Sequence, residues 1–167
     1  MIWEELIAGF SDMREIVRVI IRLLVAMLLG AIVGVEREHT GKAAGLRTHI
    51  LVAMGGALFI LAPLEFGMDA DGLSRVIQGL VTGIGFLGAG AILKLSEERQ
   101  IAGLTTAAGI WMTAAIGIAV GLGRLGIALL GTILTWTTLS LVAKWESRIS
   151  EKRPPQDEGM KKPDNQR

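Results

Sequence analysis

Glu36, Arg37, Glu38, Arg47, Thr48 and His49 put carboxylate, guanidinium, hydroxyl and imidazole groups within a short polar stretch between two long apolar runs. Carboxylates and guanidinium groups at such a place can pair with each other, hold a polar or anionic ligand, or clasp two helix ends together. Apolar runs begin at Ile50 and Ile101, and a helix opening at either one would present a positive amino-terminal end and unpaired N–H groups. Thr105 and Thr106 occupy the second of these openings and complete the candidate ligand or partner site. The plainer alternative is that Glu36 caps a helix end and pairs with Arg47, with no ligand involved. His49, standing alone, is more readily an interfacial hydrogen-bonding group than a metal ligand.

Other chemistry finds no support in the residues. The glycine-rich run Gly83–Gly90 lies inside an apolar stretch and lacks the lysine that a nucleotide-binding loop needs after its last glycine. No zinc motif or catalytic triad is present, and zero cysteines exclude disulfides and thiolate ligands. No catalytic residue, metal site or cofactor is expected, and the chain is not expected to be an enzyme. A net charge of +1 gives no reason to expect nucleic acid as a partner.

The elements that position the polar stretch are membrane helices. Val76–Leu93, Ile101–Gly123 and Leu125–Ala143 carry no charge, and each has about the 17–25 residues that a bilayer-spanning helix requires. The fold class is therefore all-α, a polytopic membrane helix bundle of about five transmembrane helices. They are expected over about 16–35, 50–66, 75–93, 101–121 and 125–143. Residues 1–15 read as an interfacial amphipathic helix, since Trp3, Leu6, Ile7, Phe10 and Met13 recur at helical spacing between acids. The acidic start does not suit a signal peptide, so the first apolar run is expected to be retained. Residues 144–167 form a polar tail whose proline-bearing end is expected to be disordered.

With five crossings, one side of the membrane receives Arg37, Lys42, Arg47, Lys94, Arg99, Lys144, Arg148, Lys152 and Arg153, and the other Arg14, Arg18, Arg22, Arg75 and Arg124. That excess places the amino terminus outside and the carboxyl terminus in the cytoplasm. Arg22, two turns into the first helix, either snorkels to the headgroups or pairs with Glu65, Asp69 or Asp71. Shifting the sequence by 58 residues matches nine of the 29 positions from Leu29 to Ala57, including Ala44-Gly45-Leu46 with Ala102-Gly103-Leu104. The match reads either as a parallel internal repeat or as shared glycine, alanine and leucine composition.

Gly30/Gly34, Gly79/Gly83 and Gly117/Gly121 are small-xxx-small pairs that let helix backbones approach closely. Gly83, Gly85, Gly88 and Gly90 make the third helix either flexible or closely packed. These contacts serve packing within one chain or the pairing of two copies into a homodimer.

Three segments resemble the MgtC/SapB family: Gly30–Glu38, Ala44–His49, and Gly83–Gly90 followed by Gly103–Ala108, with Trp111 at the place of the family's usual tryptophan. The resemblance covers about residues 16–143 and lacks the carboxyl-terminal soluble domain of longer members. It implies a multi-pass protein of the bacterial inner membrane, linked to magnesium limitation, virulence and intracellular survival. It also implies a modulator of membrane machinery such as the F-type ATP synthase. The alternative is a transporter of a small or anionic solute. Direct magnesium transport is not expected, because Mg²⁺ needs carboxylate oxygens and the only acid in the second to fifth spans is Glu65.

Overall fold

The computed structural model describes residues 13–95 and 100–142, and the architecture is an all-α bundle. Helix α1 runs Met13–His39, α2 Leu46–Glu65, α3 Ala70–Ala91, α4 Leu104–Gly121 and α5 Leu125–Thr137, continued by a π-helical turn over Thr138–Val142. Four of them, α1 to α4, are long and apolar enough to cross a membrane. The fifth is shorter, although its apolar stretch continues through the π turn to Leu141. The interfacial helix expected over Met1–Glu15 lies outside the described residues except for its last three, which open α1. The polar tail 144–167 lies outside them as well.

Glycine sets three of the helix ends. At Gly41, Gly67 and Gly123 the backbone takes φ of 64°, 72° and 75°, the left-handed conformation that costs glycine least. Each follows the last turn of α1, α2 or α4. The amides of Gly67 and Met68 return to the carbonyls of Leu64 and Pro63, and the other two ends repeat the pattern, so orphan carbonyls are satisfied. Pro63 has no amide to give the Phe59 carbonyl, and α2 ends two residues after it.

The third helix does not reach Leu93, nor does the fourth begin at Ile101, as the uncharged runs suggested. Between them Leu93–Leu95 pairs antiparallel with Gln100–Ala102 in a short hairpin. Gly103 then turns the chain with φ 93°, which is incompatible with a helix interior and delays α4 to Leu104.

Packing depends on small residues. A Cβ on Gly30 would lie 2.7 Å from the His49 carbonyl oxygen, and one on Gly34 2.8 Å from the Leu46 Cα, so α1 and α2 touch backbone to backbone. A Cβ on Gly117 would overlap the Ala53 carbonyl, and one on Gly121 would lie 2.7 Å from Ile60. Through these contacts α2 and α4 run side by side in the same direction. Ala26, Leu29, Val33, Ala53, Ala57, Ile116, Val120, Ala128 and Leu139 form the buried core. Large side chains such as Leu51, Leu58, Ile127 and Leu130 point outward, as a bilayer requires.

The 58-residue repeat is visible in this geometry. Helices α2 and α4 start at Leu46 and Leu104, each after a glycine cap, and Gly88 faces Ala107 just as Gly30 faces His49. Both pairs keep the same shift. The copies differ in depth, since α1 contributes six buried residues and α3 only Gly88.

Candidate functional site

The end of α1, the start of α2 and the first half of α4 meet at one end of the bundle. Arg37 lies one helical step beyond Gly30, Val33 and Gly34, on the face that α1 turns toward α2, and it is only 2% exposed. Its Nε is ion-paired with Glu36, while its Nη1 is buried without a hydrogen-bond partner. Glu38, the next acid, does a different task. Its Oε2 accepts a hydrogen bond from the Leu46 amide at 2.9 Å, placing a carboxylate at the positive end of α2.

His49 is fully buried, one turn into α2. Its Nδ1 lies 2.7 Å from the Thr113 Oγ1, and the Thr113 hydroxyl donates to the Gly109 carbonyl at 2.9 Å. That donation occupies the only hydroxyl proton, so Thr113 must accept from the ring and Nδ1 must carry the hydrogen. The imidazole Nε2 is then an acceptor in the neutral ring, and it too is buried without a partner. Gly109 makes room for the ring, since a Cβ there would stand 3.4 Å from His49 Cε1. The cluster thus leaves one unused donor, on Arg37, and one unused acceptor, on His49. Each is costly in an apolar interior unless it is filled.

The residues proposed from sequence divide between this cluster and the surface. Glu36, Arg37 and His49 lie in the cluster, and Thr106 is buried near the start of α4. Thr48 is half-buried, whereas Arg47 and Thr105 are exposed. The pairing of Glu36 with Arg47 is corrected, because Glu36 pairs with Arg37. The acid at the start of α2 is Glu38, not Glu36. Arg22 is also corrected: its Nη1 donates to the Gly121 carbonyl at 2.9 Å, so its partner is the negative end of α4 and not an acid. Thr113 is not among the candidate site residues of the sequence. Its four-residue spacing from Gly109 and Gly117 marked it as inward-facing, but nothing in the sequence linked it to His49.

The glycines divide in the same way. Gly30, Gly34, Gly117 and Gly121 are tight contacts, and Gly88 is in ordinary contact with Ala107. Gly79, Gly83, Gly85 and Gly90 have nothing within 4 Å of the Cβ position, so within one chain they are not packing points. Gly56, outside the spaced glycine pairs of the sequence, is one, with the Ala114 carbonyl 2.9 Å away. Among the described residues no three His, Asp or Glu side chains come together as a metal site would need.

Comparison with known proteins places this geometry. The MgtC family model matches residues 23–148. Protein SrpB of Synechococcus elongatus is 48% identical over 124 residues, 68% of this chain and 68% of SrpB. The putative magnesium transporter YhiD of Escherichia coli K12 is 42% identical over 128 residues, 72% of this chain and 58% of YhiD. Protein MgtC of Salmonella typhimurium strain LT2 is 43% identical over 124 residues, 74% of this chain and 52% of MgtC. The chain therefore spans little more than half the length of the YhiD and MgtC proteins it matches. No solved structure matches it.

Proposed function

This chain belongs to the MgtC family, and from that premise we propose that it is a bacterial inner-membrane modulator of membrane machinery, active under magnesium limitation. By family resemblance the machinery is of the F-type ATP synthase kind, and the setting includes intracellular survival. The observation that carries this reading is the buried cluster of Glu36, Arg37, His49 and Thr113. Glu36 and Arg37 pair with each other within α1, beside the His49–Thr113 link that ties α2 to α4, an arrangement suited to holding one conformation for a partner to recognise. A route for Mg²⁺ would call for oxygen ligands in series, with carboxylates facing water. The amino terminus lies outside and the carboxyl terminus in the cytoplasm, so the cluster sits at the cytoplasmic end.

A second reading, transport of a small or anionic solute, draws on the parallel repeat and on the unused Arg37 donor. The magnesium transport in the name of YhiD belongs to the same class. One experiment tests the proposal against magnesium transport. Purified protein in liposomes is expected to pass Mg²⁺ no faster than protein-free liposomes, while His49→Ala abolishes complementation of growth at low magnesium with the protein still in the membrane. Saturable Mg²⁺ flux would overturn the proposal.

A further inference from the structure

Helix α3 exposes large apolar side chains at Val81, Phe86 and Leu87, but one line along its exposed face carries none. Its partly buried side, including Ile77, Leu80, Ile84 and Gly88, packs toward the bundle and is apolar. The opposite side carries Asp71, Arg75, Gln78, Thr82, Gly85 and Ala89, all exposed. These six positions recur at four- and three-residue steps, the seam of a left-handed helix pair. No large apolar side chain interrupts them.

Gln78 lies about 4.5 Å beyond Arg75 along the helix axis at 1.5 Å per residue, where the apolar part of α3 begins. An amide turned to acyl chains has no partner there. A small-residue stripe alone would be compatible with lipid, but an amide and two charges on the same line call for a polar, close-fitting neighbour. Among the described residues neither Asp71 nor Arg75 has an ion-pair partner within the chain.

We propose that this face of α3 is the contact between two copies of the chain, related by a two-fold axis along the membrane normal. The face is complementary to itself. Two copies in the same membrane orientation set their α3 helices parallel, and Asp71 and Arg75 are about 6 Å apart along the axis. The carboxylate of each copy then reaches the guanidinium of the other, twice by symmetry. The Gln78 amide is both donor and acceptor and so can pair with its own counterpart. Thr82 donates to the Gln78 carbonyl at 2.9 Å, which leaves its oxygen free to accept across the seam. Nearer the other end Gly85, with open space at its Cβ position, and Ala89 let the backbones close.

The absence of native cysteine makes the test direct. Single cysteines at Gln78, Thr82 and Gly85, in purified protein reconstituted in liposomes, should form disulfide dimers of twice the 17.8 kDa chain under mild oxidation. The yield should exceed that at Ile77, Leu80 and Ile84 by about tenfold, following the helical period. Asp71→Arg and Arg75→Asp should each weaken self-association measured by energy transfer between labelled copies, on the order of three- to tenfold, and the double exchange should restore it. Equal cross-linking at all six positions, or no dimer in liposomes of purified protein, would overturn the proposal. So would single exchanges that leave association unchanged.

Discussion

Arg37 shows how a charge can be read from its helical phase and still be assigned the wrong partner. Gly30, Gly34 and Arg37 lie on one face of α1, so a reader who accepts the glycines as contact points should expect the guanidinium to be buried. Its partner is another matter, because Glu36 and Glu38 were both near and only the path of residues 40–45 decides between them. That path carries Glu38 to the Leu46 amide and leaves Glu36 to Arg37. The link from His49 to Thr113 spans 64 positions and depends on the packing of α2 on α4, which no local pattern encodes. It is testable at this scale. Thr113→Val keeps the shape but leaves the buried Nδ1–H without an acceptor, which should cost about 1–3 kcal/mol of stability against denaturant in detergent. Replacing both partners, His49→Leu with Thr113→Val, should cost less than the sum of the single changes, because no buried donor is then orphaned.

At the scale of the element, the helices were legible because each needs a long apolar run, and their ends were less so. Gly41, Gly67 and Gly123 end three helices, and each is followed within a few residues by the next element, so the boundaries were recoverable from the glycines. The hairpin at Leu93–Ala102 was not, since its first strand continues the apolar run of α3 without a change of composition. Glycine spacing also failed to separate contact from exposure. Gly79 and Gly83 have the same four-residue spacing as Gly117 and Gly121, but only the second pair meets another helix. Gly117→Ala should therefore be strongly disruptive, because its Cβ would overlap the Ala53 carbonyl and α2 and α4 would have to separate. A cost of about 1–3 kcal/mol is expected for such overpacking. Gly83→Ala, with open space around it, should leave thermal stability in detergent unchanged or slightly raised through better helix propensity. The reverse ranking would mean that α3 is packed and α4 is not.

At the scale of the whole molecule the question is whether α5 crosses the membrane, because that decides on which side the chain ends. Its α-helical part, Leu125–Thr137, is short for a crossing, about 20 Å at 1.5 Å per residue. The π turn extends it through Val142, and there Thr138 and Leu139 line the same groove as Thr105 in the first turn of α4. The helix therefore returns along α4 to the end of the bundle that holds Glu36 and His49. Charge agrees with that path. Arg37 is buried and paired, so it drops out of the orienting charges, but Lys42, Arg47, Lys94, Arg99, Lys144, Arg148, Lys152 and Arg153 still outnumber Arg14, Arg18, Arg22, Arg75 and Arg124 on the opposite side. Single cysteines at Lys42 and Lys144 should then react with a membrane-impermeant reagent only from the cytoplasmic side, and one at Met68 only from outside. Reaction of Lys42 and Lys144 from opposite sides would mean that α5 does not cross and that the chain has four spans. Reaction of Met68 from the cytoplasm would invert the whole bundle and move the Arg37–His49 cluster to the outer face.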